Sequence, residues 1–251
     1  MRDPIVNDLK GLFITGTDTS VGKTWVTAMI ARELRKEGVR VGVYKPCCSG
    51  AERDRAGRPV WPDVETLAAA IGGDVPTDHI CPQRFAAPLA PPVAARLEGR
   101  QVDVQRLRAA ASVWNGKVDL LLVEGVGGWL CPLTESETVA DLAVDFGFPV
   151  LVVARLGLGT ISHTLLTVEA IERRGLPVAG IVLNEAVPES SPLAAETNPA
   201  EIAARCRAPI LGILAHGASG GLRQDTGASK IDWHALAASP SRPCSGPDHV
   251  V

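Results

Sequence analysis

The sequence has few aromatic residues, and it lacks both a large excess of one charge and any long apolar run. Lys and Arg number 25 against 28 Asp and Glu, which gives a net charge of −3. This balance argues against a protein that coats nucleic acid, because such proteins usually carry a large positive excess. Apolar runs such as Val150 to Ala154 are far shorter than the roughly 20 residues that cross a bilayer. We therefore expect neither a nucleic-acid partner nor a membrane partner.

The first residues show no pattern typical of a secretion signal, and the cysteines show no pattern typical of a metal site. The start, Met1 to Pro4, has no apolar core, which predicts a cytoplasmic protein. The six cysteines form no CxxC pair, and no histidine stands at zinc-finger spacing from them. Cys47 and Cys48 are adjacent and could bind a soft metal. The favoured expectation is that the cysteines are reduced, buried thiols that act as small apolar residues.

Short, nearly continuous β-branched segments alternate along the chain with helical patterns. The apolar segments are 12–15, 39–44, 118–123, 150–154, 178–183 and 210–214. Continuous rather than alternating apolar runs suit strands that are buried on both faces. Between the first two segments, Val26, Met29, Ile30 and Leu34 follow helical spacing. The pattern predicts an α/β fold of the P-loop NTPase type, with a parallel sheet and helices on both faces.

We expect one domain over residues 1–237, because the sequence shows no internal repeat. The segment 51–62 is polar and contains Gly57 and Pro59, which predicts an exposed loop. Residues 238–251 contain a Ser-Pro-Ser-Arg-Pro run, and they predict a flexible C-terminal tail.

A glycine-rich segment follows the first predicted strand and opens the first predicted helix. Its sequence, TGTDTSVGKT, places five residues between Gly16 and Gly22, one more than in the common phosphate-loop motif. Such a loop turns backbone N–H groups inward at a helix N-terminus and so binds phosphate. Lys23 would reach the terminal phosphates, and the Thr24 hydroxyl would ligate Mg²⁺. The segment therefore predicts a nucleotide site.

Two further polar residues stand at the ends of predicted strands. Lys45 follows the second strand and is close to Ser49, and Glu124 ends the third strand, before Gly125 and Gly127. Ligands of open parallel sheets bind outside the carboxyl ends of the strands, so we expect a functional Lys45 rather than a solvated surface lysine. Glu124 is expected to complete a Mg²⁺ shell. Its alternative is an exposed acid in a glycine-rich turn.

Three other polar residues leave two interpretations open. Asp63 comes at the start of a predicted helix, where it could be an N-cap or a further acid on the metal side of the site. Asn184 and Glu185 follow the strand 178–183. A carboxamide offers a donor and an acceptor to the edge of a base, although Asn is also common in turns that end strands.

Taken in order, these motifs resemble those of the dethiobiotin synthetase family. The set comprises the phosphate loop with its extra residue, Tyr44-Lys45-Pro46 with Ser49-Gly50, Val123-Glu124-Gly125 with Gly127-Gly128-Trp129, Leu156 to Gly159 with His163, Asn184 with Pro188, and Leu211-Gly212. The resemblance runs from about Gly11 to Leu236. Other P-loop enzymes share single motifs, whereas the ordered set is specific to this family.

The resemblance implies a ligase of biotin biosynthesis. Such an enzyme uses MgATP to close a cyclic urea from 7,8-diaminononanoate and CO2, releasing dethiobiotin, ADP and phosphate. A carbamate formed on a substrate amine attacks the γ-phosphate, and the neighbouring amine then closes the ring. By resemblance, Lys23 and Lys45 are catalytic, and Thr24, Asp63 and Glu124 hold Mg²⁺.

The resemblance also implies binding residues and a partner. The nucleotide contacts would be Ser20, Val21, Gly22, Lys23, Thr24, Trp25, Asp63, Glu124, Gly125, Val126, Gly127, Asn184, Glu185, Leu214, Ala215 and His216. The residues that contact the substrate would be Thr19, Ser49 and Gly159. The family is usually a homodimer with a substrate site across the interface. The helix start near Gly159 would bind the substrate carboxylate from the partner chain, because helix N-termini favour anions.

Two other classes of P-loop protein compete with this interpretation. Switch ATPases of the plasmid-partition and division-site type usually carry an extra lysine early in the loop, and Gly16 to Val21 contains none. Amidoligases of the corrinoid-synthesis type carry a glutaminase domain, for which this chain has no room. Likeness of fold alone does not separate the three classes.

Overall fold

A computed structural model describes residues 9–185, 192–217, 222–223 and 230–238. The strands in this part are β1 (Lys10–Gly16), β2 (Val41–Tyr44), β3 (Cys47–Ser49), β4 (Glu52–Arg53), β5 (Pro59–Val60), β6 (Gln83–Phe85), β7 (Leu120–Glu124), β8 (Val150–Arg155), β9 (Val178–Asn184) and β10 (Ile210–Leu214). The helices are α1 (Lys23–Lys36), α2 (Pro62–Ala70), α3 (Thr77–Ile80), α4 (Pro91–Leu97), α5 (Val104–Ala109), α6 (Val139–Phe146), α7 (Thr160–Glu172), α8 (Pro192–Ala203) and α9 (Trp233–Leu236), with a 3-10 helix at Ala110–Trp114.

Six strands form a parallel sheet in the order β10-β9-β8-β1-β7-β2. They correspond to the six apolar segments, so the predicted α/β fold is confirmed. From β1 the chain crosses through α1 toward β2, whereas from β8 it crosses through α7 in the opposite direction to β9. Right-handed crossovers in opposite directions place their helices on opposite faces of the sheet. The carboxyl end of β1, where the two directions meet, is the expected place for a ligand.

The register of β2, β7 and β1 brings two strand ends beside the phosphate loop. All the side chains of β7, which lies between β1 and β2, are buried. Tyr44 at the end of β2 pairs with Val123, so the following residues, Lys45 and Glu124, come to lie side by side. Neighbouring strands are about 4.8 Å apart, within reach of both side chains. Glu124 also pairs with Ile14 of β1, which leads directly into the loop.

An aromatic cluster packs against the end of β2, the strand that Lys45 directly follows. The ring of Phe146 lies 6.2 Å from Phe13, 6.1 Å from Tyr44 and 5.8 Å from Phe148, between centroids. Tilted aromatic pairs at this separation are favourable beyond the area that they bury. The Tyr44 hydroxyl donates a 2.6 Å hydrogen bond to the Leu107 carbonyl. The residue before Lys45 is therefore held by both packing and a buried hydrogen bond.

The exposed segment 51–62 contains a short hairpin, so the prediction of a plain loop is corrected here. β4 and β5 pair in antiparallel fashion, with Glu52 opposite Val60 and Arg53 opposite Pro59. Each strand has only two residues, and so short a polar segment shows no alternation that would predict it. The predicted tail lies outside the described residues beyond Ala238.

A buried arginine joins α5 to both ends of α6. The Arg108 guanidinium donates to Asp145 at 2.7 Å and to Glu137 at 2.5 Å, and its side chain is only 9% exposed. We expect Arg108→Met to lower the free energy of unfolding by about 2–4 kcal/mol, because the ion pairs of the buried guanidinium with two partly buried carboxylates are lost. Urea denaturation measures this loss.

The matched control for Arg108 is Arg173, which pairs with Glu169 at 2.6 Å while its side chain is 77% exposed. Exposed helical pairs contribute little to stability, so Arg173→Met should leave the urea midpoint unchanged. Equal midpoints for the Arg108 variant and this control would contradict a stabilising role for Arg108.

Candidate nucleotide and substrate site

A cleft of about 980 Å³ opens at the carboxyl edge of the sheet. Its lining comprises Thr19, Ser20, Gly22, Lys23, Thr24, Trp25, Lys45, Cys48, Ser49, Gly50, Asp63, Pro88, Leu89, Ala90, Pro91, Glu124, Val126, Gly127, Cys131, Asn184, Glu185, Leu214, Ala215, His216 and Gly217. Segments that are far apart in sequence, from the loop after β1 to the residues that follow β10, therefore meet in one cleft.

The phosphate loop has the backbone of an anion nest. Ser20 and Gly22 both adopt left-handed conformations, with φ of 57° and 93°, and this alternation turns neighbouring N–H groups to one side. Gly22 is also the N-cap of α1, so the helix adds its partial positive charge. Position 22 tolerates only glycine, because a Cβ there would lie 2.0 Å from Nδ2 of Asn184.

Lys23 lies inside the loop that it is expected to serve. Its Nζ donates a 3.2 Å hydrogen bond to the Asp18 carbonyl, and the residue is 7% exposed. Burial, and after it the positive charge of Lys45, lowers the pKa of Lys23 to about 8. The ammonium is thus poorly compensated before a ligand binds, which favours contact with an anionic phosphate.

Lys45 is buried and pairs with two carboxylates, the fully buried Glu124 and the half-buried Asp63. Its Nζ lies 2.6 Å from Oε1 of Glu124 and 2.7 Å from Oδ2 of Asp63. Burial alone would lower the pKa of Lys45, but the charges of Glu124 and Asp63 outweigh it and raise that pKa. Lys45 therefore remains a fixed positive charge in the cleft.

Asp63 belongs to this cluster and does not cap its helix. The N-cap of α2 is Trp61, and Asp63 lies in the first turn. The indole of Trp61 donates to the Phe85 carbonyl at 3.0 Å, and the Arg84 guanidinium lies 5.3 Å from the ring centroid. This anchoring of the helix start directs the Asp63 carboxylate to Lys45, so the N-cap interpretation is wrong.

One carboxylate oxygen of Glu124 accepts two short hydrogen bonds, and the other oxygen accepts none from the described residues. The Thr24 hydroxyl donates to Oε1 at 2.6 Å, and Lys45 shares the same atom. Oε2 is buried and has no hydrogen-bond partner among the residues that the structure describes. A buried anionic oxygen without a partner is costly, so this atom favours a cation beside it.

The far end of the cleft is held by hydrogen bonds from Asn184 and Glu185. The Asn184 amide donates to the Val21 carbonyl at 2.8 Å, which ties the end of β9 to the phosphate loop. Glu185 donates its N–H to the Leu214 carbonyl at 2.9 Å, and its carboxylate accepts from the His216 N–H at 3.2 Å. Among the described residues, Val21 is the hydrogen-bond partner of the Asn184 side chain, and the oxygen and second N–H of that side chain can serve the edge of a base.

Some of the predicted contact residues do not line the cleft that the described residues form. Val21 and Gly125 are buried behind it. Gly159 is the N-cap of α7, with φ of 85°, and it lies outside the cleft of its own chain. Its predicted role concerns the partner chain and stays a prediction. Pro188 lies outside the described residues.

Sequence reasoning missed two thiols in the lining, Cys48 and Cys131. Cys48 directly precedes Ser49, a predicted substrate contact, and this neighbourhood could have indicated that Cys48 lines the cleft. The expectation of buried thiols holds for Cys47, Cys48 and Cys81, whereas Cys131 and Cys206 are half-buried. Within the described part of the chain, all five are free, and no three acidic, histidine or cysteine side chains cluster around a possible metal position.

Comparisons with known proteins relate most of this chain to one group of enzymes. A family model described as an AAA domain matches residues 10–218. The ATP-dependent dethiobiotin synthetase BioD of Anaeromyxobacter dehalogenans strain 2CP-C is 53% identical over 195 residues, which are 78% of this chain and 85% of that protein. The protein of the same name from Anaeromyxobacter sp. strain Fw109-5 is 50% identical, with 83% and 91% covered. That from Rhodopirellula baltica is 37% identical, with 79% and 81% covered.

Proposed function

The chain belongs to the family of ATP-dependent dethiobiotin synthetases, and we propose that its cleft performs the reaction of that family. In this reaction, 7,8-diaminononanoate, CO2 and ATP give dethiobiotin, ADP and phosphate, a step of biotin biosynthesis. An amine of the substrate adds to CO2 and loses a proton, forming a carbamate. A carbamate oxygen then bonds to the γ-phosphorus, and ADP leaves. The second amine attacks the activated carbon, and the cyclic urea forms as phosphate departs.

The observation that carries this proposal is a second buried lysine beside the phosphate loop. Lys23 accounts for binding of the nucleotide phosphates, as in P-loop proteins generally. Lys45 adds a fixed charge in the same cleft, and Ser49 lines that cleft as well. A carbamate and a γ-phosphate are both anions, and a cation between them offsets their repulsion. Lys45 and Ser49 are therefore assigned to the carbamate.

The protein's part in the reaction is mainly to position and to supply charge. Phosphoryl transfer asks for an in-line approach and stabilisation of the moving group rather than covalent help. The backbone N–H groups of the loop and Lys23 hold the phosphates, and Lys45 orients the attacking anion. The walls formed by Pro88 to Pro91 limit the entry of water, which would otherwise compete as a nucleophile.

Mg²⁺ fits the residues at the centre of the cleft. Thr24, Asp63 and Glu124 offer hard oxygen donors, and Oε2 of Glu124 has no partner among the described residues. Mg²⁺ usually takes one or two protein carboxylates and fills its other positions with water and substrate phosphates, so two carboxylates suffice. When bound, Mg²⁺ neutralises negative charge that develops on the phosphates.

We expect Glu124→Gln to raise the Mg²⁺ concentration needed for half-maximal activity by about tenfold or more. The variant keeps the size of the side chain but removes the charge, and a tenfold change corresponds to about 1.4 kcal/mol of binding. Titration of activity with Mg²⁺ measures the effect. Glu65→Gln is the control, because Glu65 is an exposed acid in the first turn of α2. An unaltered Mg²⁺ requirement in the Glu124 variant would exclude it as a ligand.

A homodimer is part of the proposal. Leu158 and Leu166 are 81% and 62% exposed, and both lie on or beside α7, which Gly159 caps. Burial of such leucines by a second copy would be favourable, and it would bring each Gly159 toward the partner's substrate. The mass of the protein in solution tests this arrangement.

The single domain of residues 1–237 and a cytoplasmic location also remain proposals. Free thiols, as at the five described cysteines, are typical of a reducing compartment. Among the described residues, no helix is long and apolar enough to span a bilayer.

One assay tests the proposed function. Purified protein is incubated with MgATP, bicarbonate and 7,8-diaminononanoate, and dethiobiotin and ADP are measured together. We expect both products in equal amounts, and little ADP when either the diamine or bicarbonate is omitted. A switch ATPase would instead hydrolyse ATP without the diamine, and that result would overturn the proposal.

A further inference from the structure

Trp25 is the exposed tryptophan of this protein, and it lines the cleft. Its residue exposure is 48%, whereas Trp114, Trp129 and Trp233 are at most 5% exposed and Trp61 is half-buried. The buried side of α1 is formed by other residues, such as Val26 and Ile30. Since an indole left largely in water contributes little to the core, its position calls for another partner.

The place of Trp25 along α1 puts it next to the phosphate-binding residues. It follows Lys23 and Thr24 directly, and it comes three residues after Gly22, so it lies on the same side of the helix as the N-cap. The Asn184 amide lies close to this N-cap, because it donates to the carbonyl of the neighbouring Val21 and would meet a Cβ at position 22. Trp25 therefore lies beside the phosphate loop, and it lines the same cleft as Asn184 and Glu185.

That end of the cleft offers polar groups to the edge of a ring. The Asn184 amide is held by the Val21 carbonyl, and Glu185 is held by the backbone of 214 and 216. Groups fixed in this way can read the edge of a heterocycle, but they provide no surface for its face. Trp25 and His216 are the aromatic side chains in the lining of the same cleft, and the indole of Trp25 is the larger flat surface.

We propose that the Trp25 indole is the stacking surface for the base of the bound nucleotide. Every base presents a π-face, and stacking on an aromatic side chain typically changes binding by about ten- to a hundredfold. The inference rests on the proposed function only in that ATP occupies the cleft. In this arrangement Trp25 of α1 stacks on the face of the base, and Asn184 forms hydrogen bonds with its edge.

Quenching of tryptophan fluorescence by acrylamide tests this assignment without any variant, because Trp25 is the exposed indole. ATP should protect this fluorescence from acrylamide. Inorganic tripolyphosphate, which fills the phosphate loop but has no base, should leave it quenchable. Equal quenching with and without saturating ATP, or equal protection by tripolyphosphate, would overturn the assignment.

Variants give a second, independent measurement. Trp25→Ala should weaken ATP binding in calorimetry by about tenfold or more and leave tripolyphosphate binding within about twofold, while Trp25→Phe should retain most of the affinity for ATP. Leu97→Ala is the control, because Leu97 is a 70% exposed apolar residue on α4. If wild type makes dethiobiotin but Trp25→Ala binds ATP normally, the stacking role is wrong and the proposed function stands. If wild type makes no dethiobiotin, the proposed function fails, and the quenching result still decides the stacking role.

Discussion

Replacing Lys23 with alanine is expected to reduce nucleotide turnover by roughly 10³-fold or more without unfolding the protein. The ammonium lies within the loop and bonds only to the Asp18 carbonyl among the contacts that the structure describes. It is therefore free to turn to the β- and γ-phosphates. A positioned cation at the transferring phosphoryl group acts mainly on the transition state, where the charge moves.

The structure also explains why this variant should stay folded. Lys23 is destabilised as an ammonium by burial and by Lys45, as its lowered pKa shows, and Lys45 remains beside Glu124 and Asp63 when Lys23 is removed. Phosphate release at saturating MgATP, diamine and bicarbonate measures the loss, and circular dichroism checks the fold. The matched control is Lys36→Ala, at the exposed last turn of the same helix. Near-normal phosphate release by a folded Lys23→Ala variant would remove Lys23 from the mechanism.

The sequence allowed the sheet to be predicted because each strand is a short, continuous apolar run. The segment 118–123, for example, becomes β7, whose side chains are all buried. The order of the strands was not predictable from these runs, since each of them suits any inner position of a parallel sheet. The hairpin of β4 and β5 was missed because two-residue polar strands carry no periodic signal.

The site was predictable as a set of strand ends but not as a geometry. Lys45 and Glu124 were each placed at a carboxyl end, and ligands of parallel sheets bind at that edge. Their 2.6 Å contact depends on the register of β2 against β7, which no local pattern encodes. The ion pairs of Arg108 show the same limit, because Asp145 lies on α6 and Glu137 lies just before it, both far from Arg108 in sequence.

The second large effect is expected from Lys45→Gln, which should nearly abolish dethiobiotin formation while ATP affinity changes by only a few-fold. Lys23 and the backbone nest of the loop remain to hold the phosphates. What is lost is the fixed charge that lies between the two carboxylates and faces the same cleft as Ser49. Without it, an anionic carbamate must approach an anionic phosphate against repulsion that grows as water is excluded.

The Lys45→Gln variant could lose activity simply because it is less stable. Lys45 is 4% exposed and compensates Glu124, which is fully buried, and removal of one member of a buried pair can cost about 3–5 kcal/mol of stability. Lys45→Arg therefore serves as the matched variant, because it keeps the charge but changes the shape of the cation. Urea denaturation shows whether either variant is folded under the assay conditions.

ATP affinity by calorimetry and dethiobiotin formation are then compared for wild type, Lys45→Gln and Lys45→Arg. A carbamate-binding role predicts that ATP affinity survives in both variants, that product is lost in the glutamine variant, and that the arginine variant retains a measurable part of it. A purely structural role predicts that ATP affinity and product fall together, in proportion to the loss of stability. Normal product formation by folded Lys45→Gln would show that the carbamate is held elsewhere, because no fixed charge would then be needed between the two anions at this position.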